Sequence, residues 1–263
     1  MSAVGTGRLT GKVAIVTGSS SGMGEAIARR FAAEGAGVVV NSARSARAGE
    51  RVAGELSDAV YVQADLADAG AADALVSAAL DRWGRLDVVV NNAGISPRLP
   101  HPHLSELTDD LWELVLGVNL IGPWRLIRAA EPHLRAHGGG AVVNITSAAG
   151  IRATENNTAI PYHLSKSGLN HLTVLMANVL GPQVRVNALA PGGIETPMWP
   201  KDSAALRASV SARTILARPG LPDEVADVCL FLATATYVTG QVLAVDGGLT
   251  VKVLRDVTAR TAV

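Results

Sequence analysis

Short apolar runs rich in β-branched residues alternate with longer alanine-rich stretches along almost the whole chain, and this alternation leaves few folds open. The runs are Val13–Thr17, Val38–Val40, Val60–Gln63, Val88–Asn91, Val142–Ile145, Val184–Ala188 and Val242–Val245. Between them Met23–Glu34, Ala46–Leu56, Ala69–Trp83, Asp110–Ala136, Tyr162–Leu180 and Pro222–Ala233 read as helices. Runs that are apolar at nearly every position suit strands covered on both faces. The pattern predicts an α/β fold, one doubly wound, seven-stranded parallel sheet with helices on both faces. Right-handed crossovers in such a sheet put ligands at the carboxyl ends of the strands.

No Pro/Gly/Ser linker or internal repeat interrupts the alternation, so residues 1–263 read as one domain. The main break is Gly193–Gly220, which carries Pro197, Pro200 and Pro219 around a short helical stretch. A segment of that kind late in an α/β chain is expected to act as a lid over substrate. Leu249–Val263 has no strong pattern and is expected either to fray or to pack on a partner subunit. With 23 Lys+Arg against 23 Asp+Glu, the formal charge is zero, which argues against nucleic acid as a partner. No apolar run approaches the roughly 18 residues of a membrane span, and Met1–Gly11 lacks the apolar centre of a secretory signal. The single cysteine, Cys229, has no intrachain partner, and no Cys/His cluster has zinc spacing. A soluble, cytoplasmic protein without a metal is the expectation.

Val13–Thr17 runs into Gly18-Ser-Ser-Ser-Gly22-Met-Gly24 and then a helix. In that order Gly18 permits a tight turn, Gly22 lets backbone approach a pyrophosphate, and Gly24 allows close helix–strand packing, with the helix N-terminus favouring phosphate charge. Three residues separate the first two glycines, unlike G-x-G-x-x-G. Tyr162 and Lys166 stand four apart in a helical stretch and so share a face. A free tyrosine, with a pKa of about 10, is a poor acid–base group near neutrality. A neighbouring ammonium is expected to lower it. Ser147 ends the run Val142–Ser147 and should face the crevice, whereas Thr146 should point to the other side of the strand.

Thr17-Gly-x-x-x-Gly22-x-Gly24, Asn91-Asn-Ala-Gly94, Asn119, Ser147, Tyr162-x-x-x-Lys166 and Pro191-Gly192 together resemble the short-chain dehydrogenase/reductase family, over about residues 9–248. The resemblance implies a Rossmann-type fold, a nicotinamide cofactor, and a homotetramer or homodimer. It also implies direct hydride transfer between the nicotinamide and a carbonyl or secondary-alcohol carbon of a small molecule. Asn119, Ser147, Tyr162 and Lys166 would be the catalytic set. Tyr162 would exchange the proton, Ser147 would steady the oxygen, Lys166 would hold the ribose and tune the tyrosine, and Asn119 would hold a water leading to Lys166. Cofactor contacts would come from Gly18, Ser20, Ser21, Gly22, Met23 and Gly24 at the pyrophosphate. Asp65 and Leu66 would meet the adenine, Asn91, Asn92, Ala93 and Gly94 would line the central strand end, and Pro191, Gly192, Ile194 and Thr196 would hold the carboxamide.

NAD-preferring relatives carry an acid at the position of Ser42, eighteen residues after Gly24. Here Ser42 and Ser45 could donate to a 2′-phosphate, and Arg44 and Arg47 could neutralise it. Ser21, where many NADP-dependent relatives carry Arg or Lys, speaks the other way. NADP(H) is favoured, with NAD(H) as the alternative.

In pattern the chain lies nearest to 3-oxoacyl-carrier-protein reductases and related ketoreductases, with three departures. Ser147 and Tyr162 are fifteen apart, two more than usual, with Ile151–Pro161 as a longer loop. Asn178 stands where the carrier reductases place a docking arginine, and Leu249–Val263 extends past the usual end. Reduction of carrier-bound 3-oxoacyl chains is therefore the alternative to a free substrate, and Arg135 and Arg152 are the candidate docking cations. A dinucleotide-responsive regulator is a further alternative, against which the Ser147, Tyr162 and Lys166 set argues. A dehydration or isomerisation using the same tyrosine is another. His101 and His103 lie in a Pro-rich loop on the substrate side.

Overall fold

A computed structural model describes residues 7–97, 104–153, 160–197, 199–200 and 202–252. His101, His103, residues 154–159 of the Ser147–Tyr162 loop and residues 253–263 of the tail lie outside that set. The strands are β1 (Val13–Val16), β2 (Gly37–Ser42), β3 (Ala59–Gln63), β4 (Val88–Asn91), β5 (Gly140–Ile145), β6 (Val184–Pro191) and β7 (Val242–Val245). The helices are α1 (Gly22–Ala33), α2 (Ala46–Glu55), α3 (Ala71–Trp83), α4 (Asp109–Leu116), α5 (Gly122–Ala136), α6 (Ile160–Leu180), α7 (Ala204–Arg213) and α8 (Pro222–Thr234). All seven strands form one parallel sheet in the order β3-β2-β1-β4-β5-β6-β7. The order reverses between β1 and β4, and a crevice opens there at the strands' carboxyl ends.

The strands are apolar throughout because each face meets a helical layer. Ala14, Val16, Val38, Val40, Val90 and Val143 enter a core with Ile27 and Phe31 of α1 and Val225 and Leu230 of α8. Their neighbours Val13, Ile15, Val39, Val89 and Val142 enter a second core with Leu75 of α3, Leu126 and Ile127 of α5, and Leu180 of α6. Alternation with a period of two therefore persists, hidden because both faces are dry.

The expected continuous helix Asp110–Ala136 is a correction. After α4 the backbone passes through a π-helical turn, Gly117–Ile121, before α5 resumes. Pro123 has no N–H to return to the Asn119 carbonyl, so the regular ladder fails there and the wider turn absorbs the extra residue. The turn carries Asn119 into the interior, where it is fully buried.

Residues 193–220 form a loop around α7 whose two ends are pinned together. Gly220 N–H donates to Gly193 O at 3.0 Å and Glu195 N–H to Gly220 O at 2.8 Å. Ile194 and Gly220 make an isolated parallel bridge. Beyond β7, Gly247 O accepts from Ile215 and Leu216, and Lys252 Nζ donates to Ala212 O at 2.6 Å and Thr214 O at 3.0 Å. Arg152 donates to Thr250 O at 3.1 Å, so Asp246–Lys252 is stitched to the end of α7 on one side and to the loop after Ser147 on the other. No helix among the described residues is long and apolar enough to cross a membrane.

Candidate active site

Asparagine is a poor strand former, yet Asn41, Asn91, Asn144 and Asn187 all lie buried in strands. Each ties its strand to a neighbouring segment. Asn41 Oδ1 accepts from Gly18 N–H at 3.2 Å, and its Nδ2 donates to Val62 O and Ala64 O. Asn91 Nδ2 donates to Asn144 Oδ1 at 2.8 Å, and Asn144 Nδ2 donates to Thr173 Oγ1 at 2.9 Å, locking β4 and β5 to α6. Asn187 donates to Val238 O and accepts from Gln241 N–H.

The glycine turn hangs from these ties. Thr17 Oγ1 donates to Val90 O at 3.3 Å and accepts the N–H groups of Asn92 and Ala93, each at 3.0 Å. Asn92 Nδ2 in turn donates to Thr17 O at 2.8 Å and Gly18 O at 3.1 Å. The Asn92 amide nitrogen thus holds the turn in shape. Gly18 takes φ +62° and lies against Ala93, whose Cα would stand 2.9 Å from a Cβ at position 18. Gly24 packs the start of α1 on the turn, and a Cβ there would meet Gly18 O at 2.3 Å. Among the described residues no acceptor meets the N–H groups of Ser21, Gly22, Met23 and Gly24, and Ser21 gives no side-chain cap. Ser20 is buried under the turn, Ser21 is exposed, and Met23 packs on the first core.

Across the crevice, α6 and the loop after β5 present the expected polar set. Lys166 is buried, and its Nζ donates to Ile145 O at 2.9 Å and lies 5.9 Å from the centre of the Tyr162 ring. Burial pulls this ammonium down to about 8. Asn119 Nδ2 donates to Ile95 O at 2.9 Å and to Ser165 Oγ at 3.0 Å, while its Oδ1 accepts Ile95 N–H at 2.8 Å. Ser165 passes the chain on by donating to Tyr162 O at 2.8 Å. A Cβ at Gly94 would approach both Asn119 Oδ1 and Lys166 Nζ to 3.3 Å, so that glycine keeps the junction open. Ser147 Oγ accepts Ala149 N–H at 3.1 Å, and the hydroxyl interacts with the Tyr162 phenol. Thr146, pointing the other way as expected, is buried against Leu189 O.

The tuning of Tyr162 differs from expectation. Burial raises its pKa above the ordinary value, and the Ser147 hydroxyl offsets only part of that rise. The Lys166 ammonium donates instead to Ile145 O.

Around the rim, Asp65 Oδ1 accepts Ala67 N–H at 3.1 Å. The Leu66 side chain is buried against Gly122, where a Cβ would approach it to 2.9 Å. Pro191 and Ile194 are buried, and Gly192 N–H donates to Val245 O at 3.0 Å. Thr196 reaches over Gly22, whose Cβ would stand 3.6 Å from the threonine Cγ2, so residues 193–220 touch the glycine turn itself. Arg44, Ser45 and Arg47 are exposed, and Arg44 and Arg47 pair with no carboxylate among the described residues. The Ser42 hydroxyl lies 2.8 Å from the Tyr61 hydroxyl, a pair in which either oxygen can be the donor.

Arg135 is also corrected. It bonds Gln183 Oε1 at 2.6 Å and Val179 O at the amino ends of the strands, on the opposite side of the sheet from Ser147, so it cannot receive a carrier at the crevice. Arg152 keeps its place at the mouth. Sequence reasoning assigned no role to Thr17, Asn41, Asn144 or Ser165. The strand asparagines were the available signal, being the residues least suited to their positions.

A family model described as enoyl-(acyl carrier protein) reductase matches residues 18–250. The chain belongs to the short-chain dehydrogenase/reductase family. It is 51% identical over 239 residues to a granaticin polyketide synthase putative ketoacyl reductase 2 of Streptomyces violaceoruber, covering 90% of this chain and 95% of the relative. It is 37% identical to a 3-oxoacyl-(acyl-carrier-protein) reductase of Thermotoga maritima, over 93% of this chain and all of the relative. It is 38% identical to a cis-4-hydroxycyclohexanecarboxylate dehydrogenase of Sinomonas cyclohexanicum, over 91% and 96%. The chain is an oxidoreductase of that family. The crevice fits the dinucleotide that membership implies: donors of the α1 N-terminus are free, Gly22 takes a left-handed φ of +58° at the turn, and Gly94 clears the approach to Lys166.

Proposed function

We propose that the chain is an NADP(H)-dependent ketoreductase acting on a carbonyl or secondary alcohol of a small organic molecule, with Tyr162 as the acid–base group. The observation that carries this is the Tyr162 phenol beside the Ser147 hydroxyl and the buried Lys166 ammonium, with Asn119 and Ser165 fixing the start of α6 through the Tyr162 main-chain carbonyl. A bound nicotinamide would supply or accept the hydride. The free N–H groups of α1 would hold its pyrophosphate, and Lys166 its ribose. Ser147 would orient the substrate oxygen, and the protonated Tyr162 would donate to that oxygen as negative charge develops there. Residues 193–220, closed at their base and resting on Gly22, would act as the lid. The unpaired Arg44 and Arg47 and the absence of an acid at Ser42 support NADP(H) over NAD(H).

Carrier-bound 3-oxoacyl chains are the second reading, favoured by the ketoacyl reductase at 51% identity and by Arg152 at the mouth. The whole chain would act as one domain. Exposed Leu114, Trp124, Leu164 and Leu175 on α4, α5 and α6 support assembly into a homodimer or homotetramer. The test is loss of reduced-nicotinamide absorbance with NADPH or NADH against cyclic ketones, β-ketoesters and their carrier-bound thioesters. Turnover of free ketones with NADPH supports the main reading. Turnover confined to thioesters on a carrier moves the assignment to the second, and tight NADPH binding without any turnover refutes both.

A further inference from the structure

Tyr61 stands outside every role assigned so far, and its surroundings are specific. Its ring lies over α2 at Gly49, where a Cβ would come within 2.1 Å of the tyrosine Cε2, so the position admits the ring only because it is glycine. The ring also packs against the first core. Tyr61 therefore has little freedom to swing, and its hydroxyl is held 2.8 Å from Ser42 Oγ. The next turn of the loop is tied to the same strand, with Gln63 Nε2 donating to Ala43 O at 3.0 Å. Strand β3 thus fixes the end of β2, where the ribose of a dinucleotide is read.

The hydrogen bond between the two hydroxyls has a direction, and the ligand decides which direction is useful. A serine hydroxyl has one donor and two acceptor sites. If Ser42 donates to Tyr61, it has only lone pairs left for a further ligand, and these repel a phosphate. If Tyr61 donates to Ser42, the serine hydrogen is free to point at a phosphate oxygen, and the two bonds strengthen each other. A ribose 2′-hydroxyl can donate or accept, so it is served by either arrangement. We infer that Tyr61 is a positioning residue for cofactor choice: its phenol donates to Ser42 and turns the serine hydrogen toward the 2′-phosphate of an adenosine 2′-phosphate ligand. This rests on the NADP(H) reading.

The probes are adenosine 2′,5′-bisphosphate and adenosine 5′-monophosphate, which differ only in the 2′-phosphate, titrated calorimetrically into the full chain. Tyr61→Phe keeps the ring over Gly49 and removes only the hydroxyl. The expected result is about a three- to tenfold weaker affinity for the bisphosphate, the size of one modest hydrogen-bond contribution, with the monophosphate changed less than twofold. In a Ser42→Ala background the same substitution should have no further effect, because Tyr61 acts through Ser42. Equal losses for both nucleotides, no loss for either, or additivity with Ser42→Ala would overturn the inference. A wild type that fails to prefer the bisphosphate removes the NADP(H) reading and the inference together. A wild type that prefers it while Tyr61→Phe is silent removes the inference alone.

Discussion

Replacing Thr17 by valine keeps the shape of the side chain and removes one oxygen that organises three segments. That oxygen accepts two backbone N–H groups, from Asn92 and Ala93 at 3.0 Å each, and donates to Val90 O. Thr17 is fully buried, while Asn92 and Ala93 are half-buried, so water reaches their N–H groups only in part. The Asn92 N–H keeps a second acceptor in Val90 O at 3.1 Å, so only the half-shielded Ala93 N–H loses its sole partner, and leaving one such donor unpaired costs about 1–2 kcal/mol. That is a sizeable share of a domain stability of about 5–15 kcal/mol. Equilibrium urea unfolding of Thr17→Val should show this loss at an unchanged m-value. Thr17→Ser, which keeps the oxygen, should stay within about 1 kcal/mol of wild type. Because Asn92–Gly94 borders the crevice, dinucleotide affinity should fall with it. A valine variant as stable as wild type would refute the assignment of Thr17 as the anchor of the turn.

Three further outcomes follow from the same coordinates. Gly24→Ala places a Cβ 2.3 Å from Gly18 O and 2.4 Å from Asn92 Nδ2, so dinucleotide affinity measured by fluorescence titration should drop and the thermal midpoint fall. Burial alone would raise Asp87, but Arg85, the Val13 N–H and Lys12 outweigh it and hold the carboxylate below its ordinary value. A depressed carboxylate contributes stability present above its unfolded pKa of about 3.9 and lost as pH falls through the folded value. The unfolding free energy of wild type should therefore fall more steeply than that of Asp87→Asn below about pH 4, and parallel acid limbs would contradict this. Lys166 is held near 8 by burial while Tyr162 is raised, so the alkaline limb of kcat/KM should have its midpoint near 8 and belong to the lysine. A limb above about pH 10 would assign it to the phenol instead.

The alternation of strands and helices was legible because β-branched runs and alanine-rich stretches differ in composition as well as in period, and every strand and five of the six long helical stretches appear as single elements, the sixth being split. The interruption at Gly117–Ile121 was not legible, since the stretch also carries Pro132, which α5 accommodates inside the helix, and nothing in the residue types shows that only Pro123 follows a wider turn. The polar residues of the crevice were visible as types at spacings. Their hydrogen-bond directions were not: whether Lys166 faces Tyr162 or Ile145 O, or Asn92 faces a ligand or Thr17 O, depends on contacts between segments far apart in the chain. Arg135 shows the same limit, because its place at the amino ends of the strands follows from the length of α5 and not from its own chemistry.

The account turns on Tyr162 as the proton donor of a hydride-transfer reaction. The most direct measurement is single-turnover oxidation of NADPH by a ketone substrate in wild type and Tyr162→Phe, with NADPH affinity determined for both. A phenylalanine keeps the ring and removes the hydroxyl, so affinity should hold while the rate falls by about 10²–10⁴-fold, the usual worth of a positioned acid. A variant that binds NADPH equally and reduces the ketone within a few-fold of wild type would contradict the assignment of Tyr162.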